Sequence, residues 1–210
     1  MTAFITRCWR SIRLEGWALL CACMLALGSQ GAAAQAVTVD VTQLRAERVD
    51  DGVHLTATVE FDLPAAVDDA LSKGIAMYFV AEAELLRDRW YWYDKRVADA
   101  TRSVRLSFQP LTRRWRVQVS ANGQASSGPE LTLGQNFDSL AEALASVQRI
   151  SRWKIADSAD VDPAGKYTLV FSFRLDIGKL PRPFQIGAVG QNDWTIVAKR
   201  SLRLVPEPER

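Results

Sequence analysis

One histidine, His54, and three cysteines, Cys8, Cys21 and Cys23, are all that this chain of 210 residues offers to nucleophilic or soft-metal chemistry. His54 falls on the polar side of an alternating stretch. A solvated strand residue is therefore the expectation, ahead of a general base. A zinc site needs several His or Cys ligands on one body, and none can be assembled here. Paired carboxylates are the next candidates. Glu82 and Glu84 stand two apart, so a strand would project both from one face. Such a pair serves acid and base work on glycosides only inside a cleft. Asp160 and Asp162 before Gly165 have the look of a calcium loop, but Ala164 and Phe171 stand where oxygen ligands belong. No glycine-rich phosphate loop, nucleophile elbow or zincin motif is present. No catalytic residue, metal ligand or cofactor is expected.

Charge layout carries more information. Residues 37–84 hold ten acidic and three basic side chains, and residues 87–116 hold nine basic and three acidic. The basic stretch also carries Trp90, Tyr91, Trp92, Tyr93, Phe108 and Trp115. Alternation places Val104, Leu106 and Phe108 on one face with Trp115 and Val117. Arg105, Arg114 and Arg116 then share the other face. Like charges on one sheet face repel, so something should neutralise them. Either the acidic stretch folds over them, or solvent does, or they form a platform for an anionic partner. Arginine beside aromatic side chains suits such surfaces, which makes Arg105, Arg114, Arg116, Trp90 and Trp92 the candidate binding residues. The segment Leu180–Phe184 reads as a proline-blunted edge cover.

The elements that must position these residues are mostly strands. Val53, Leu55, Ala57, Val59 and Phe61 alternate with polar residues, and Val37, Val39 and Val41 do so before them. Asp50-Asp51-Gly52 between the two runs predicts a hairpin turn. Pro64 opens a short helix that Gly74 ends. Strands are predicted over Ile75–Leu86, Trp90–Tyr93, Val104–Phe108, Trp115–Val119, Arg152–Ala156, Tyr167–Leu175 and Trp194–Leu204. Leu111-Thr112-Arg113 and Asn122-Gly123 read as turns. Ser139 and Glu142 form a capping box for a second helix that reaches Ile150. The prolines at 181 and 183 predict an extended Leu180–Pro183. The sum is a mainly β fold, an antiparallel sandwich or open barrel of about eight strands with two short helices.

The first 34 residues read as a secretory signal peptide: Arg7, Arg10 and Arg13, an apolar run from Gly16 to Leu27, then small residues permitting a cut after Ala34 or Ala36. The run falls short of the roughly 20 residues that span a bilayer. A lipoprotein cut before Cys23 and an uncleaved anchor are the competing readings. Cleavage after Ala34 removes all three cysteines and leaves 23 basic against 23 acidic residues. The expected product is a single thiol-free domain over residues 37–205 with a frayed tail at 206–210. It would lie in the periplasm, with no membrane span in the mature chain and no affinity for nucleic acid.

Four stretches carry a family likeness. They are Leu63-Pro64 with Ala70-Leu71 and Gly74-Ile75; Trp90-Tyr91-Trp92 through Ala100-Thr101 to Leu111-Thr112 and Trp115; Ser139 to Leu144; and Arg174 to Ile177 followed by Lys179 to Gln185. On these the chain resembles the proteobacterial envelope family catalogued as domain of unknown function 4390. The resemblance brings no activity, cofactor or site residue. It implies genes that lie beside a nitrogen-type membrane sensor kinase, hence a periplasmic signalling partner. The functional expectation is an exported periplasmic binding or adaptor protein without catalytic activity, presenting its basic aromatic face to an anionic envelope ligand or protein partner. The alternatives are a carboxylate-dependent hydrolase of an envelope polymer, and a structural protein tethered by an uncleaved leader.

Overall fold

The structure, a computed structural model, describes residues 39–88, 94–123, 132–188 and 194–204. Nine strands form two antiparallel sheets. The smaller has the order β1 (Val39–Val49), β2 (Gly52–Phe61), β7 (Arg149–Asp157). The larger runs β6 (Thr132–Phe137), β5 (Arg114–Gly123), β4 (Lys95–Gln109), β3 (Met77–Arg87), β8 (Tyr167–Leu175), β9 (Val197–Leu204). β1 lies beside β9 and β7 over β4, so the arrangement is an open sandwich. Three helices join the strands: α1 (Ala65–Ser72), α2 (Leu140–Gln148) and α3 (Arg182–Ala188).

Period-two alternation explains the core. Val53, Leu55, Ala57, Val59 and Phe61 of β2 are buried, as are Tyr167, Leu169, Phe171, Phe173 and Leu175 of β8. The rings of Phe61, Phe79 and Phe173 meet between the sheets at centroid separations of 5.5, 5.5 and 5.8 Å. In β1 the alternation breaks at a bulge between Val41 and Gln43. Val41 is buried before it, and Leu44 and Ala46 pack on the core after it. Residues 36–210 form a compact unit separate from 1–35. Among the described residues every buried core residue lies between Val41 and Leu204, within that second unit.

The Asp50–Asp51 turn is as expected. Gly52 adopts φ +143°, and a Cβ there would stand 2.0 Å from the Ala156 carbonyl oxygen of β7. The Ser139 hydroxyl caps α2 by accepting from the Glu142 N–H at 3.2 Å. Elsewhere the expectations need correction. Arg182–Ala188 is helical, although a proline sits within it. Pro181 supplies the carbonyl for the first turn, accepting from the N–H groups of Phe184 and Gln185. Pro183 sits in that first turn, where its missing N–H has no intrahelical role. Asn122-Gly123 closes strand β5 instead of turning it, and β6 is an additional strand. β9 starts at Val197, three residues after Trp194. The strand predicted over Trp90–Tyr93 lies outside the described residues.

Candidate functional site: a cationic sheet face

Residues opposite one another across an antiparallel pair share a face. Arg105 stands opposite Gln118 on one side and Tyr78 on the other; Ser107 is opposite Arg116, and Gln109 opposite Arg114. Arg105, Arg114 and Arg116 are thus brought together on the outer face of β4 and β5, and all three are exposed. The acidic β1–β2 hairpin belongs to the other sheet and packs against the inner face. It does not cover these arginines.

Each guanidinium has a definite neighbour. Arg105 donates to Gln118 Oε1 at 3.4 Å and lies 5.8 Å from the centroid of the Tyr78 ring. Lys179, in the 3₁₀ turn Ile177–Lys179, lies 5.5 Å from the same ring. Tyr78 is therefore a half-buried aromatic approached by two cations. Arg114 pairs with Asp138 at 3.2 Å. Arg116 extends across β6 above Gly134, where a Cβ would come 3.5 Å from its Nη2. Among the described residues no carboxylate pairs with Arg105 or Arg116. Phe108 and Trp115 meet with centroids 4.8 Å apart and their rings tilted by 41° on the inner face, as the alternation requires. Trp90 and Trp92 lie outside the described residues. Tyr78 and Lys179 escaped sequence reasoning. Tyr78 joins the face only through its pairing with Arg105, and Lys179 through a turn about a hundred residues along the chain.

The other candidates are accounted for by neighbours. Glu82 accepts from Arg174 at 2.6 Å and Glu84 pairs with Arg96 at 2.8 Å, both on the open outer face of β3. Asp162 accepts from Arg87 at 3.2 Å and from the Ala164 N–H at 3.0 Å, an Asx turn closing the Asp157–Gly165 loop. Arg48 holds that loop from β1 through the carbonyls of Pro163 and Gly165. His54 is less solvated than its polar-face position suggests, at 15% exposure, with Nε2 3.1 Å from Asp51. The hydrogen bond from His54 holds the Asp51 carboxyl below its ordinary range. No group of three or more potential metal ligands occurs among the described residues.

Two depressions are formed by described residues. One of about 330 Å³ lies between β1 and β9, where Arg200 reaches across to the Val41 carbonyl. One of about 590 Å³ lies at the far end of the sheet, lined by Arg87, Lys95, Arg96, Asp160, Asp162 and Tyr167 among others. The residues lining these depressions do not include Arg105, Arg114 or Arg116. No helix among the described residues is long and apolar enough to cross a membrane.

No curated protein and no solved structure shows significant similarity to the chain. A family model does: that of the Domain of unknown function (DUF4390), which matches residues 36–202, from ahead of β1 to within β9. The match covers both sheets and all three helices, and the chain belongs to that family.

Proposed function

We propose that this is an exported binding or adaptor module that captures an anionic partner on the outer face of β4 and β5. The observation that carries the reading is the side-by-side placement of Arg105, Arg114 and Arg116 on a face that the acidic hairpin leaves open. A guanidinium stays charged at any physiological pH and presents a planar fork of donors, which matches phosphate and carboxylate groups. Tyr78 adds a rigid apolar surface beside the charges. The leader pattern of residues 1–34 supports export to the periplasm. Glu82 and Glu84 each stand beside an arginine and line neither described depression, which favours the binding reading over the hydrolase one.

The test is photocrosslinking in living cells from position 116, with position 45 on the opposite sheet as the comparison. Position 116 should yield a defined adduct that position 45 does not. The combined change Arg105→Glu and Arg114→Glu should reduce the adduct at least tenfold, since opposed charge acts on both encounter and retention. Circular dichroism and thermal melting should stay as in the parent chain. An adduct of undiminished yield in the doubly reversed chain overturns the platform.

A further inference from the structure

The end of the large sheet at which β4 turns into β5 has a character of its own. The turn Pro110–Arg113 sets Leu111 at its tip, 101% exposed. Pro110 fixes the entry, and Arg113 adopts the left-handed conformation with φ 52°, unusual for a residue with a side chain. The exposure is built by the backbone. Four large hydrophobics are exposed among the described residues: Val49, Leu111, Ile186 and Val197. Leu111 is the one of these that stands at the β4–β5 turn. Val197 opens β9 three strands away, level with Ser103 of β4, so it belongs to another part of the face.

Cations stand beside Leu111. Arg113 and Arg114 follow Leu111 closely along the chain and Arg116 stands two residues up β5; all are exposed. Asp138 answers only Arg114. Leu111 stands fully exposed at the tip of a turn, so the surface projects there and suits an extended partner more than a small molecule. β1 begins at this same end, because Val39 pairs with Phe61 beside Phe79.

We propose that this end docks on an anionic phospholipid bilayer, with Leu111 entering the headgroup–acyl boundary and Arg113, Arg114 and Arg116 facing lipid phosphates. The inference rests on the cationic-face reading and names its partner. Apolar side chains ringed by Lys and Arg are the chemistry by which peripheral proteins hold such surfaces. The geometry ranks the cations. Strands rise about 3.3 Å per residue, which sets Arg105 about 13 Å along β4 from its last residue, Gln109. Surface potential decays within a screening length of about 8 Å at physiological salt. Arg113 and Arg114 should thus matter most, Arg116 less and Arg105 least. A partner lying flat on the sheet would rank Arg105 with Arg116.

The test uses residues 36–210, which contain every described core residue and no cysteine. Co-sedimentation is measured with phosphatidylcholine vesicles, with and without one lipid in three as phosphatidylglycerol. Binding should appear only with the anionic lipid and fade as salt rises. Arg113→Ala and Arg114→Ala should each weaken partitioning about fivefold, and Arg105→Ala less than twofold. A single Leu111→Cys carrying an environment-sensitive fluorophore should shift to the blue on anionic vesicles, and Ser158→Cys at the opposite end should not. Absence of vesicle binding, an unshifted probe at position 111, or equal losses from Arg105→Ala and Arg114→Ala would overturn the proposal. The two readings fail separately. Inert vesicles with an arginine-dependent adduct from position 116 leave the platform standing and remove the bilayer. Binding through Leu111 with an adduct indifferent to the arginines does the reverse.

Discussion

Arg102 is the side chain whose setting conflicts with its chemistry. It stands on the inner face of β4 opposite Ala81, in the alternation that buries Ala100 and Val104. Its Nε is buried without an acceptor, and burial lowers the pKa of the guanidinium. No ion pair answers it among the described residues. A downward shift on a cation means that folding disfavours the charged form. That cost is present wherever the group is protonated, which covers the whole physiological range. Replacing a poorly paired buried charge by an apolar side chain of similar length is commonly neutral or stabilising. Arg102→Met should raise stability by about 1 kcal/mol, read as a higher urea midpoint at unchanged slope. A loss of similar size would show that Arg102 holds a partner in the native protein. Arg105, three residues on, has the opposite parity and stands exposed to solvent.

At the scale of elements, the β1–β2 hairpin is the piece with the least tolerance. Its turn needs Gly52 twice over: for φ +143° and for the contact with β7. Gly52→Ala should cost about 3 kcal/mol or more, combining backbone strain with displacement of the Ala156 carbonyl. Thermal melting checks this, and a change below about 1 kcal/mol would mean that β7 yields at Ala156. Strands of strict alternation were legible in the sequence: β2 and β8 bury the residues their periodicity selects. α2 was legible from Ser139 and its spacing. α3 was not, because Pro181 and Pro183 signal extended chain locally and become a helix start only when Gln185 bonds back to Gly178 and Leu180. β6, Thr132–Phe137, carries Gly134, Gln135 and Asn136 and shows no period. Its pairing with β5 makes it a strand.

For the whole molecule, the core lies between two sheets whose strands come from distant parts of the chain: β3 pairs with β8, and β2 with β7. Such a core should unfold as one unit. Residues 36–210 produced without the preceding segment should show a single cooperative urea transition, with coincident fluorescence and circular-dichroism midpoints. Separated midpoints would mean that the small sheet melts independently. The same architecture answers the charge imbalance of the sequence. The acidic hairpin and the basic strands enter different sheets and meet through their apolar faces, so both charge sets stay at the surface.

Composition and periodicity by themselves determined that this chain builds a β-rich body, which faces of β2 and β8 are buried, and that Arg105, Arg114 and Arg116 share a side. Those properties are local, since a strand's pleat sends alternate residues to opposite faces whatever it pairs with. Tertiary structure alone decided that the acidic hairpin leaves the arginines uncovered, that Tyr78 and Lys179 stand beside Arg105, and that Leu111 projects at the end where β1 begins. These depend on strand order and on which sheet each hairpin joins, and pairings between distant segments leave no period in the sequence.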